Sequence, residues 1–156
     1  MPYETTNDAV DDMNGKARSA LLGAGIPETS ILWDNIESLP PVSPPGNPNP
    51  AQHPAADFWA AVAVIHVDEG VATLGSVNNR RRFESRGMLV IRLFVPASGG
   101  WHNAYVVKDQ VLDVFRSAGN GAGGVSFSSP RAQEESDKGA WRILACMVDF
   151  TYDRIV

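Results

Sequence analysis

The side chains of this sequence that are best suited to binding chemistry are four closely spaced arginines: Arg80, Arg81, Arg82 and Arg86. Guanidinium groups bind phosphate, so one interpretation is a nucleic-acid surface. Phe83 is the one aromatic residue among them, and the chain as a whole is acidic, which argues against that interpretation. Guanidinium groups also pair with carboxylates, so a second interpretation is ion pairing with another copy of the chain. The third is a solvated strand start.

His66 stands close to Asp68 and Glu69, and imidazole with carboxylates is a set that can bind a cation. The three residues lie where an apolar run enters a polar segment. The other two histidines, His53 and His102, are not at metal-ligand spacing from any partner. We therefore expect a solvated strand end here, with no metal and no cofactor.

The segment Gly119 to Gly124 matches G-x-G-x-x-G, the sequence motif of a dinucleotide-binding turn. Such a turn follows a strand and opens a helix, whose free N–H groups then bind phosphate. Here the glycines follow a predicted helix and precede a predicted strand. The pattern favours a flexible connector.

Glu134, Glu135 and Asp137 could serve as paired carboxylates in acid–base chemistry, but no apolar segment adjoins them to shift a pKa. A solvated charged loop is the simpler expectation. Cys146 is the single cysteine and lies in an apolar run, so we expect a buried thiol and a reducing compartment. Because no nucleophile, base and metal set is recognisable, an enzyme is not expected.

The composition is that of one globular domain spanning residues 1–156. Apolar residues make up 44% and charged residues 20%, and the net charge is −5. The acidic balance argues against a surface that coats nucleic acid. No basic start is followed by an apolar segment, and no apolar run reaches the ~20 residues of a membrane span, so neither a signal peptide nor a membrane association is expected.

The first part of the chain predicts a helix, a short strand and an extended arm. The helix covers about 7–22, with Thr5, Thr6 or Asn7 as its N-cap. The short strand covers 31–33. Residues 38–55 are dense in proline, which is incompatible with a helix or a central strand, so we expect a polyproline-like arm on the surface.

Two long strands follow. Residues 58–67 are apolar on both faces, which predicts that both faces are covered, either by the domain itself or by a neighbouring chain. The second strand, 88–95, carries Arg92 among apolar residues, and a guanidinium there needs a carboxylate or solvent partner. The connection at 68–79 is long for a hairpin loop.

The last part predicts a helix over 103–117 by its 3.6-residue apolar spacing, then a short strand at 125–128. A charged loop is expected at 129–139 and a final strand at 141–152. Hairpin-linked strands with two helices predict an α+β fold, in which both helices pack on one face of a mainly antiparallel sheet.

In this order the elements resemble the tail terminator, or tail completion, proteins of long-tailed bacteriophages. The resemblance covers nearly the whole chain and rests on short motifs. These are a leading helix, Ile31-Leu-Trp-Asp-Asn-Ile36, a proline-rich excursion, Thr73-Leu-Gly75 with Arg80-Arg-Arg-Phe83, Arg86-Gly87, Phe94-Val-Pro96, the helix with Val107, Val111 and Phe115, Gly139-Ala-Trp141, and Val148-Asp-Phe-Thr-Tyr152. The proline-rich arm is longer and denser in proline than the family pattern.

The resemblance implies a structural protein at the tail–neck junction of a virion, assembled in the cytoplasm of a bacterial host. It implies a homohexameric ring that caps the tail tube, stops its polymerisation and offers a surface to the head-side neck protein. DNA would pass through the ring without being read. A ring of identical copies needs a heterologous head-to-tail interface, to which an apolar strand and complementary charges are suited.

Charged residues around the long hairpin are the predicted interface to other copies or to the tube. They are Asp68, Glu69, Arg80, Arg81, Arg82, Glu84, Arg86 and Arg92. Two alternatives remain open. One is another virion subunit, either a head-closure or a tube protein. The other is a small-ligand-binding α+β domain with a pocket near Trp33, Trp59 and Trp101.

Overall fold

The computed structural model is an α+β domain with two helices and a five-stranded mixed sheet. The residues described are 2–33, 40, 52–53, 55–71, 81–99, 101–116 and 124–155. Most of the proline-rich arm, Arg80 and all but the last residue of the 119–124 glycine tract lie outside these ranges. The predictions made for them stay predictions.

The helices match the predicted segments closely. Helix α1 spans Thr6–Gly23, and the Thr5 hydroxyl accepts a hydrogen bond from the Asp8 N–H as its N-cap. Its last turn closes with the Ile26 N–H donating to the Leu21 carbonyl, and Gly25 takes the left-handed conformation (φ 92°) that favours glycine at this point. Helix α2 spans His102–Arg116.

The sheet has the strand order β1-β2-β3-β5-β4. The strands are β1 (Ile31–Trp33), β2 (Trp59–Val71), β3 (Arg82–Pro96), β4 (Ser126–Lys138) and β5 (Trp141–Ile155). The β1–β2 pair is parallel and the other three pairs are antiparallel. The two central strands, β3 and β5, pair along their whole 15-residue length. They form the middle of the sheet.

Both helices pack on one face of the sheet, as predicted, and this helix-covered face forms the main core. Leu89, Ile91 and Leu93 of β3 contribute alternate side chains to it. Cys146 also lies there with 1% of its surface exposed, and burial raises the pKa of its thiol to about 12. The prediction of a buried thiol is therefore confirmed.

The opposite face carries side chains of the other parity, and we call it the outer face. Phe94, Trp141 and Ile143 form a small buried cluster there, against which Trp59 and Ala61 pack. The rest of this face is mixed, with charged residues such as Arg86 and Arg92 between apolar ones such as Val90 and Ala145. Neither described helix has the length and apolar character that crossing a bilayer requires.

Two sequence expectations about the strands were wrong. Residues 129–138 are not a loop but most of the 13-residue strand β4. The segment 68–71 belongs to β2 rather than to the connecting loop. In both cases pairing with β3 or β5 extends a strand through residues whose side chains remain in solvent. The apolar run 58–67 is covered on both faces by its own domain only in its first half, because Ile65 and Val67 are 44% and 74% exposed, so coverage of the second half by a neighbouring chain stays a prediction.

Candidate assembly surface

The second half of β2 is a sheet edge. Strand β1 pairs with β2 only at Ala60, Ala61 and Val62. From Ala63 to Val71, no strand among the described residues covers the side of β2 that faces away from β3. We call this nine-residue segment the β2 edge. Its backbone N–H and C=O groups on that side are available for pairing with another strand.

The β2 edge also carries exposed aliphatic side chains. Ile65, Val67 and Val71 are 44%, 74% and 51% exposed, and they are three of the five exposed large apolar residues in the described chain. Val67 lies at a β-bulge, since the register with β3 shifts between His66 and Asp68. An open edge with exposed aliphatic groups is the type of surface that pairs with a second chain.

Four of the predicted charged residues, Asp68, Arg82, Glu84 and Arg86, lie close to this edge and share the outer face. In the β2–β3 register Asp68 stands opposite Arg86, and Arg82, Glu84 and Arg86 alternate along β3 on the same face. Arg86 donates to the Glu84 carboxylate at 2.6 Å. Asp68, Glu84 and Arg86 line one side of a shallow groove there.

The other predicted charges are more dispersed. Arg82 is ion-paired with Asp153 of β5, and Arg81 is exposed. Glu69 lies on the helix-covered face instead, where it accepts from Arg154 at 3.0 Å. Since Asp68 and Glu69 point to opposite faces, the predicted set is divided between two surfaces.

Arg92 lies farther along the outer face, away from the β2 edge. Its guanidinium is 3.3 Å from the Glu135 carboxylate of β4, so the predicted carboxylate partner is present. A second pair on this face joins Arg131 and Asp149 at 3.2 Å. These exposed pairs each contribute no more than about 1 kcal/mol, because solvent screens them.

A groove on the helix-covered side of the β2 edge contains His66. It has a volume of about 310 Å³ and is lined by Thr6, Glu69, Ser85 and Tyr152 among others. The His66 Nε2 and the Tyr152 hydroxyl are 2.7 Å apart, so one donates a hydrogen bond to the other. No group of three potential metal ligands occurs among the residues described. Val67 and Asp68 also line this groove, so Asp68 and Glu69 both lie near His66 although the two carboxylates point to opposite faces of the sheet.

Sequence reasoning missed two parts of this surface. It did not identify the β2 edge as exposed, because a strand that is apolar on both faces looks the same whether a neighbour lies beside it or not. It also missed β4 as the opposite edge of the sheet. The signal for β4 was weak, since Arg131 to Asp137 is polar at every position but Ala132 and shows no alternation.

Comparisons with known proteins add information about the fold alone. No family model matches the chain, and a search of curated proteins finds no match either. Among solved structures, one similar chain, which carries no functional name, superposes with a TM-score of 0.58 at 13% identity, covering 95% of this chain and 96% of that one. At such identity the likeness shows a shared fold over nearly the whole chain.

Proposed function

We propose that this protein is a structural virion-assembly subunit, a tail terminator that forms a ring on the end of a phage tail tube. The observation that carries the proposal is the β2 edge, an open strand with exposed aliphatic side chains beside a cluster of charges. Such an edge serves assembly better than it serves catalysis. The α+β fold with two helices on one face also agrees with what the family resemblance implies.

The charged cluster on the outer face supplies a second contact in this proposal. Arg81, Arg82 and Arg86 project at the end of the long hairpin, next to the β2 edge. Their guanidinium groups are suited to carboxylates of the tube protein or of adjacent copies. DNA passes through the ring and is not read, since an acidic chain repels the phosphate backbone and lets it slide.

Deleting the coding sequence from the genome that carries it tests the function directly. Electron microscopy of the particles should then show tail tubes of uncontrolled length and heads without attached tails. Absence of tubes altogether would indicate the tube subunit instead, and heads that leak DNA beside normal tails would indicate a head-closure protein. Normal particles would refute a role in virion assembly.

The triple variant Arg80→Ala, Arg81→Ala and Arg82→Ala tests the charged cluster. We expect impaired ring formation or head–tail joining, with the free energy of unfolding lowered by about 1 kcal/mol or less, since the arginines described are exposed. Arg18→Ala is a matched control, because Arg18 is an exposed arginine on helix α1, outside the charged cluster, and pairs with Glu28. Equal joining efficiency in the triple variant, the control and the wild type would count against the cluster.

A further inference from the structure

Among the residues that the structure describes, the two outermost long strands of the sheet leave two open edges that complement one another. One is the β2 edge, and the other is the side of β4 that faces away from β5. We propose that the β2 edge of one copy pairs with the β4 edge of the next, so that a continuous sheet runs from subunit to subunit. This inference rests on the proposed ring and specifies how its copies are joined.

Strand direction allows this pairing without turning a copy over. Strands β2 and β5 run in one direction, and β3 and β4 run in the other, since β2–β3, β3–β5 and β5–β4 are all antiparallel. When copies are placed side by side in the same orientation, β2 of one therefore meets β4 of the next in antiparallel sense. The helices of all copies then stay on one side, and the contact is heterologous, as ring closure requires.

Charge selects a register for this pair. Asp68 lies outside the ion pairs that the described residues form, and it points to the outer face. On the β4 edge, Arg131 points to the same face, and its guanidinium, which pairs with Asp149 within the chain, can accept a second carboxylate. When Asp68 is placed opposite Arg131, allowance for the bulge at Val67 brings Ile65 opposite Gln133. All four side chains then share the outer face, which a correct antiparallel register requires.

Bulges limit the length of the contact. The β4–β5 register shifts between Ser128 and Arg131 and again between Glu135 and Lys138, so Arg131–Glu135 is the regular part of β4, about 17 Å long. Each bulge raises the local twist of the sheet and bends its strand. A short pairing segment between bends favours a curved, closed assembly over a flat sheet that grows without limit.

Cysteine cross-linking tests the pairing directly. The native Cys146 is 1% exposed, so it does not compete with cysteines introduced at the surface. The variants are Ile65→Cys, Gln133→Cys and the double variant. Mild oxidation of the double variant should give a ladder of covalent oligomers on a non-reducing gel, up to the ring. Each single variant alone should stay a single chain, and a mixture of the two should give covalent dimers only.

Three results would overturn the pairing. Dimers of Ile65→Cys alone would show that β2 pairs with β2 in a two-fold contact. A double variant that stays a single chain while light scattering shows assembled protein would place the contact elsewhere. A protein that remains monomeric at every concentration would show that the two edges do not bind each other.

A charge on the β2 edge provides a second, independent test. Val67→Lys should abolish association, because a lysine on an open edge opposes strand pairing. Its melting temperature should stay close to that of the wild type, since Val67 is 74% exposed. Val106→Lys, at an exposed position on α2, is the control and should leave association unchanged. Equal association of both variants would contradict the proposal.

Failure of this inference and failure of the proposed function give different results. Rings seen by electron microscopy without the 65–133 cross-link would leave the terminator function in place and refute the strand pairing. A cross-linked ladder from a protein whose deletion leaves tails normal would support the strand pairing and refute the terminator function.

Discussion

Gly87 of β3 lies between β2 and β5, next to the aromatic ring of Phe150. In the sheet register it stands between His66 and Phe150. A Cβ atom at this position would overlap the Ile65 carbonyl oxygen and come within 2.6 Å of Phe150 Cζ. Glycine is therefore needed for space, and the Phe150 ring fills the volume that a side chain would occupy.

Replacing Gly87 with alanine should lower the free energy of unfolding by roughly 1–3 kcal/mol, the usual cost of overpacking a core. Urea denaturation followed by circular dichroism measures this. Gly15→Ala is the control of opposite sign, because nothing lies within 4 Å of its Cβ and the residue is within helix α1. It should stabilise the protein by about 0.5–1 kcal/mol. Equal effects of the two substitutions would contradict this account.

Tyr3 ties the N-terminal segment to both α1 and β5. Its hydroxyl donates to Asp12 Oδ2 at 2.7 Å and accepts from the Gly124 N–H at 2.8 Å. Its ring meets Tyr152 edge-on, with centroids 5.7 Å apart. Burial, reinforced by the hydrogen bond to Asp12, raises the pKa of Tyr3 to about 12.

This raised pKa predicts a loss of stability in strong base. An unfolded tyrosine ionises near its ordinary value of 10.0, whereas folded Tyr3 holds its proton until about pH 12. The contribution of Tyr3 is therefore complete below pH 10 and is lost as pH rises through 12. The stability of Tyr3→Phe should fall less over this window when both proteins are melted at matched pH. Parallel curves would show that Tyr3 does not carry the effect.

At the scale of the element, the strands of the sheet differ in how well their backbone amides are protected from hydrogen exchange. Strands β3 and β5 have a neighbour on both sides, but the β2 edge and the outer side of β4 do not among the described residues. Backbone hydrogen bonds at such edges open more easily than those in the middle of a sheet.

Amide hydrogen exchange should therefore be slowest in 89–95 and 143–150, and faster in 63–71 and 131–135 in the monomer. On assembly, protection should rise in 63–71 and 131–135 together, because both segments enter the proposed strand pair. Mass spectrometry of peptides at low and high protein concentration measures the change. A rise in the 81–86 segment alone would indicate that the arginine cluster carries the contact.

At the scale of the whole molecule, salt concentration affects assembly in two opposite ways. Each chain carries a net charge of −5, so copies repel one another at low ionic strength. Salt screens this repulsion, but it also weakens exposed pairs between arginine and carboxylate.

The mass of the assembled protein should therefore rise with salt if the aliphatic β2 edge dominates the contact. Light scattering from about 10 mM to about 1 M salt, over which the Debye length falls from roughly 30 Å to 3 Å, measures this. A mass that falls with salt would assign the contact to the arginine cluster. Val67→Lys, measured in the same series, separates the edge contribution from general screening.

Several features could be predicted from the sequence because they depend on short-range patterns. Apolar spacing and capping gave both helices to within a residue or two at each end. The apolar context of Cys146 predicted its burial, and the isolated charge of Arg92 predicted a carboxylate or solvent partner, of which Glu135 is the carboxylate. The α+β class followed from the order of these elements.

Other features depend on which strands lie beside each other, which no local pattern contains. Strand β4 is polar along most of its length, and it is a strand because its backbone pairs with β5. Among the described residues the β2 edge is open because β1 pairs with β2 only as far as Trp33 and Val62, and Asp68 and Glu69 point to opposite faces because consecutive residues of a strand alternate. Local chemistry thus determined the elements and their apolar faces. Only tertiary pairing decided which backbone groups and side chains stay exposed. The physical reason is that backbone hydrogen bonds can join two strands whatever their side chains are and however far apart they lie in the sequence.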